Sequence, residues 1–200
     1  MNQVSLDVKQ LNTKSAPPPR ISAKKNQSSI AHRPCQADIF KDIDVLERVK
    51  VSGGTISIKT LFFPFVICLN QECDLEQDYN SRISNENKVR LLHCAVAPVF
   101  LFKKFLVGDH WGEIFPCSAP CGSKIADKIR DNETPRYHYL KFPDTNTPEL
   151  IVDFKHFFTI DSDYLYDKIP DRFCSMSDLF REQVSHRFSY YISRIGLPFE

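Results

Sequence analysis

Gln71, Cys73 and Asp74 lie within four positions of one another, directly after the apolar run Phe65-Val66-Ile67-Cys68-Leu69 and the amide of Asn70. A run rich in β-branched and aromatic residues reads as a buried strand. The abrupt change at Asn70 then places these polar groups at its carboxyl end, where folds display chemistry. A thiol there invites nucleophilic catalysis, which needs a cation or helix amino terminus to lower its pKa and a base within reach. Glu72, Asp74 and Glu76 work against the thiolate, so a histidine from elsewhere has to oppose them. His138, on an aromatic strand, is the first candidate and His93 the second. The candidate catalytic set is therefore Cys73, Asp74 and His138. The plainer alternative makes Cys73 a small buried residue and Asp74 a cap on the following turn.

Two other chemistries compete. Cys117 and Cys121 have a C-x3-C spacing that His110, His93, Cys94 or Cys73 could complete as a zinc site, but no second pair matches it, and neither metal nor cofactor is expected. Asp74, Glu76, Asp78 and Asp153 are acids of the kind a metal-dependent nuclease gathers, and Asp153-Phe154-Lys155 spaces an acid and a base two residues apart on a strand. In the plainer reading Asp153 and Lys155 form the solvated face of that strand. Asn70, Gln71, Arg136 and Asp153 make up the candidate binding set. Tyr137, Tyr139, Phe142 and Phe154, interleaved with Arg136, Lys141 and Lys155, suit base stacking or, more commonly, core.

The elements that must position these groups follow from the pattern. Ile39, Phe40, Ile43, Leu46 and Val49 recur at helical spacing, with acids early and Arg48 and Lys50 late, which suggests a short helix over 37–51 broken by Gly53-Gly54. Thr55 to Lys59 alternates as a half-buried strand, and 62–69 follows as a second, bent at Pro64. Residues 76–88 are polar throughout and read as an exposed loop. Val89 to Phe102 reads as a bent central strand, 105–123 as irregular, and 123–130 as a short helix. Arg136 to Phe142 and Leu150 to Phe157 read as strands. Finally Phe180, Val184, Phe188, Tyr191 or Ile192, and Ile195 share one helical face, with Ser175 or Ser177 as cap and Gly196 and Pro198 as stop.

Two hundred residues with 42% hydrophobic content suffice for one domain. Residues 1–34 hold six basic residues against the single acid Asp7, and their Pro, Ser, Asn and Gln content cannot offset ordering entropy. They read as a flexible basic arm before a single domain over 35–200. The remainder carries 20 basic and 24 acidic residues, unlike a nucleic-acid-binding body. Seven scattered cysteines suggest free thiols in a reducing cytoplasm. The longest apolar runs contain prolines and fall short of the ~20 residues of a membrane helix.

The motif Asn70-Gln71-Glu72-Cys73-Asp74, the strands Arg136 to Leu140 and Ile151 to Phe154, and the terminal segment Arg187 to Pro198 together resemble a group of small bacterial proteins in which a strand ends in Ser-Gln-x-Cys-Asp. Asn70 stands where that group has serine, and the likeness spans roughly Ile58 to Pro198. The resemblance implies no activity; it implies a role accessory to antiviral or mobile gene clusters. The fold expected is α+β: a bent antiparallel sheet or small SH3-like barrel capped by a carboxyl-terminal amphipathic helix. The function expected is a cytoplasmic interaction or accessory module, of a bacterial defence or toxin-like system, with a recognition pocket at Gln71, Cys73 and Asp74 and a protein partner. The alternatives are a thiol-dependent hydrolase or transferase, a small nuclease, or a nucleic-acid binder that uses the arm.

Overall fold

In a computed structural model, which describes residues 23–25, 32–84, 90–112, 114, 120–144 and 146–193, the chain is α+β. Strands β1 (Ile39–Ser52) and β2 (Thr55–Cys68) form a long hairpin, followed by helix α1 (Glu72–Ile83) and strand β3 (His93–Leu101). Two short helices, α2 (Phe102–Leu106) and α3 (Ser123–Arg130), lead to β4 (Tyr137–Leu140) and β5 (Leu150–Asp153). A single 3-10 turn, Phe154–His156, separates β5 from β6 (Phe158–Asp161). Helix α4 (Ser162–Asp167), strand β7 (Arg172–Cys174) and helix α5 (Asp178–Ile192) complete the order.

All pairing is antiparallel, in the order β4-β5-β3-β2-β1-β7, with β6 continuing the line of β5 along the first half of β3. Apolar groups cover both faces at the sheet centre. One face carries Phe40, Val66, Val96 and Phe100 against Leu75 of α1, Phe105 of α2, Ile129 of α3 and Leu165 of α4. The other carries Ile39, Ile67, Val99 and Val152 against Val184 of α5, with Phe180, Phe188 and Tyr191 packed alongside. Burial on both faces is why β3 reads as an unbroken apolar run, and α5 seats the face its periodicity marks out.

The basic arm is not free throughout. Ala23 is fully buried and donates its N–H to the carbonyl of Lys141, just past β4. Lys25 forms an antiparallel bridge with Met176, just past β7, and Ser177 N–H donates to the carbonyl of Lys24 at 2.7 Å. Residues 23–25 thus link the two outer strands of the sheet. Arg33 is buried as well, while 1–22 and 26–31 lie outside the described residues.

Four local expectations give way. Residues 39–52 are a strand, not a helix: Asp42 adopts φ 55° and a bulge lies between Leu46 and Arg48, and these two slips turn a period of two into an apparent helical spacing. The two short strands expected over 55–69 are one, with Pro64 inside it. Residues 76–83 of the loop expected over 76–88 belong instead to helix α1. Its buried positions are Leu75, Asp78 and Ser81, so hydrophobic periodicity could not reveal it. The strand expected over 150–157 ends at Asp153, whose side chain accepts from Lys155 N–H and caps the 3-10 turn.

Gly53 and Gly54, with φ of 55° and 78°, form the two-residue turn of the β1–β2 hairpin, and positive φ at both positions suits the right-handed twist of the strands. This hairpin outruns the sheet. β7 pairs with β1 only at Ile39 and Phe40, and β3 pairs with β2 only from Phe65 to Cys68. Tyr164 Oη accepts from Asp44 N–H and Lys168 Nζ donates to the carbonyl of Asp42, tying down the base. From there to the turn, no third strand joins the hairpin among the described residues.

Candidate functional site

The stretch that looked most chemical is a helix start, with its thiol on the surface. Asn70 Oδ1 accepts from Ala95 N–H at 2.7 Å, so this side chain pegs β3 to the end of β2. The Gln71 carbonyl accepts the first helical bond of α1, from Leu75 N–H. Cys73 is exposed, its Sγ 3.7 Å from Gln71 Oε1 and 3.8 Å from Asp74 Oδ1. Glu72, read in the sequence only as a charge working against the thiolate, anchors this corner. It accepts from Arg33 Nη2 at 2.8 Å and from Gln36 N–H at 2.7 Å, and pairs with Arg181 of α5 at 3.5 Å. Glu72 and Asp74 also lie in the first turn of α1, where negative charge suits the helix dipole.

His138 is not hydrogen-bonded to that thiol. It lies buried on β4 under α5, and neither ring nitrogen has a hydrogen-bond partner among the described residues. Burial, reinforced by the charge of Arg187, pushes its pKa down to about 3, so the ring stays neutral. Arg187 itself donates to the carbonyls of Asn132, Thr134 and Tyr137, crossing the turn before β4. The Cys73, Asp74 and His138 set is thus not assembled as a nucleophile and its base. Five of the other cysteines are free, with Cys35, Cys94 and Cys174 raised to about 12 by burial, while Cys117 lies outside the described residues.

The acids do not converge either. Asp78 is fully buried, accepts from Leu91 N–H at 2.8 Å, and pairs with Arg82 Nε at 2.8 Å. Among the described residues no three of His, Cys, Asp and Glu are placed to hold a metal ion. Asp153 is buried rather than on a solvated face, and the fork of Arg136 closes on it. His156 Nδ1 lies 3.0 Å from Asp153 Oδ2. Arg136 and Asp153, two of the four candidate binding residues, therefore hold each other.

Next to this pair lies an aromatic floor. The ring of Trp111 meets those of His156 at 4.5 Å and Phe100 at 4.8 Å, both edge-on, and His110 packs on Phe100 and Phe105. Trp111 and His110 line a cavity of about 450 Å³ whose other walls include Thr60, Leu61 and Phe62 of β2 and Lys104 of α2. A second cavity, about 300 Å³, lies beside His138 and α5.

The outer hairpin presents a further exposed surface. Val49 pairs with Ile58 and Val51 with Ile56, so these four side chains share one face, and Leu46 and Phe62 extend it. All six are between 49% and 72% exposed. The opposite face carries Lys50, Ser57 and Lys59, and Lys59 pairs with Glu47. The alternation of 55–59 was legible in the sequence; that no described residue would cover its apolar side was not. Comparison with known proteins finds no match, whether to a protein-family model, a curated protein or a solved structure.

Proposed function

We propose that this protein is an interaction module that associates with a second copy of itself through the aliphatic face of the β1–β2 arm. The observation that carries this reading is the arm: a two-stranded ribbon standing clear of its sheet with an apolar row on one side. An isolated ribbon of two strands is marginally stable in water, and packing of its apolar face against another surface supplies what it lacks. At about 150–200 Å² for a whole side chain of this size, the six exposures leave roughly 600 Å² per copy. Two copies face to face bury about 1,200 Å², the lower end of a specific interface. Two such ribbons pack as sheets do, and a two-fold axis makes the same face serve both partners.

The accessory role beside antiviral or mobile genes belongs to the same proposal, as does the SH3-like barrel, which the bridge at residues 23–25 supports. The free thiols support a reducing cytoplasm, and among the described residues no helix is long and apolar enough to cross a membrane. The thiol-enzyme alternative loses its base at His138.

Sedimentation of the full chain tests the reading. Val51→Glu with Ile56→Lys places an opposite-charge pair across the strands, which keeps the ribbon while removing the apolar face. Wild type should sediment as a dimer and the double variant as a monomer. A monomeric wild type, or a double variant that still dimerises, would overturn the proposal.

A further inference from the structure

The cavity over Trp111 runs along an open strand edge. β3 pairs with β2 from Phe65 to Cys68 and stops at Pro64, which has no N–H to offer a ladder; the chain then turns off into α2. On that side β2 has no strand neighbour from Thr55 to Pro64 among the described residues. In an edge strand every second residue points its N–H and C=O outward, and such a row is a template for another chain. Here the template is flanked by a cavity whose wall is formed by consecutive β2 residues from Lys59 to Phe62 and whose floor is aromatic. Among the described residues its lining holds Lys104, which has no ion-pair partner among them, Lys59, which pairs with Glu47, and the acid Asp109.

We infer that this edge binds an extended peptide as an added strand, with one aromatic or aliphatic side chain seated over Trp111 and His110 and an acidic neighbour meeting Lys104. Each part of the site has its counterpart in that ligand. The open backbone row supplies main-chain hydrogen bonds, which give affinity without regard to sequence, and the pocket selects the side chain. The volume suits one large side chain and a short stretch of backbone; binding pockets commonly span about 300–1,000 Å³. The occupant is a peptide rather than a free small molecule because the backbone row has a peptide's repeat. The two sites meet at Phe62, which lines the cavity and ends the aliphatic row; the centre of that row, Val49, Val51, Ile56 and Ile58, lies outside the cavity.

Trp111 is the only tryptophan of the chain, so its emission reports on the cavity directly. The full-length protein is titrated with an acetylated and amidated Asp-Val-Phe-Val-Asp peptide, with the same peptide N-methylated at alternate backbone positions, and with a Lys-Val-Phe-Val-Lys peptide. The acidic peptide should change the emission saturably. The methylated and lysine-flanked peptides should bind at least tenfold more weakly, and Lys104→Glu should reverse the preference between the two flanks. The same affinity is expected in the Val51→Glu, Ile56→Lys variant. No saturable change, or equal binding of the methylated peptide, would overturn the edge site. Loss of binding in that variant would assign the signal to the self-association face instead and overturn it as well.

Discussion

Arg136, in the turn just before β4, and Asp153, at the end of β5, close a fork of two hydrogen bonds, Nε to Oδ1 at 2.8 Å and Nη2 to Oδ2 at 2.6 Å, around a carboxylate that is only 1% exposed. The same carboxylate accepts from Lys155 N–H and contacts His156, so its acceptor sites are filled. Breaking one side of such a buried pair leaves an uncompensated charge, which costs far more than the intact pair contributes. Arg136→Met keeps the apolar stem and removes the fork, and should lower unfolding free energy by about 3 kcal/mol in urea titrations. A loss below about 1 kcal/mol would place Asp153 in a much wetter site than its burial indicates.

Arg82 offers a comparison within one side chain. It bonds the fully buried Asp78 and also Asp163, which is 67% exposed. The two acids should therefore differ sharply when the cation is kept and one of them is cut. Asp163→Ala should cost less than about 1 kcal/mol, as surface pairs do. Asp78→Ala should cost several kcal/mol, because it strips Arg82 and also leaves Leu91 N–H without its acceptor. Chemical denaturation of the two variants side by side decides the matter, and equal losses would contradict this account.

His138 sets a direction for acid stability. Its folded pKa is depressed to about 3, below the ordinary value near 6.5, so between those limits the unfolded chain binds the proton and the folded one does not. Stability must then fall as pH drops from about 6.5 toward 3, by at most about 1.4 kcal/mol per unit from this group. His138→Leu removes that slope and spares the buried ring nitrogens their missing partners. Melting curves at pH 7 and pH 5 should show a smaller drop for the variant than for wild type, and an unchanged drop would assign the acid sensitivity to other groups.

Alkylation separates the thiols by place. Cys73 is exposed, whereas Cys35, Cys68, Cys94 and Cys174 are buried and raised in pKa, Cys68 well above the ordinary value. Iodoacetamide at pH 8, read site by site by mass spectrometry, should label Cys73 within minutes and those four only on unfolding. Rapid labelling of Cys94 or Cys174 in the folded protein would show that the sheet opens there.

The legible parts of the fold were those where one rule acted alone. Helix α5 carries Phe180, Val184, Phe188 and Tyr191 on a single stripe, and β4 and β5 are short, apolar and bounded by turn residues. Where two signals overlapped, the reading failed. In β1 the phase slips at Asp42 and Leu46 mimic a helix, because a period of two interrupted twice resembles a period near 3.6. In α1 the inward residues include Asp78, buried against Arg82 within a stretch that is polar on both sides. The candidate site suffered in the same way. Asp153 and Arg136 were singled out as chemical groups but satisfy each other, and no local pattern could say that β3 would pair with β2 only from Phe65 to Cys68 and, among the described residues, leave the arm without a third strand.

Residues 23–25 impose an order of events on folding. Their partners, the carbonyl of Lys141 and the residues Met176 and Ser177, come from late in the chain. A ribosome therefore delivers this short segment long before it delivers anything for the segment to dock on, and contacts so distant in sequence form slowly. During synthesis the two outer strands of the sheet stand unlinked until Met176 and Ser177 have emerged. The stitch at Ala23 and Lys25 is thus a completion mark: a chain truncated before Met176 has the hairpin and most of the sheet but nothing to fasten that bridge.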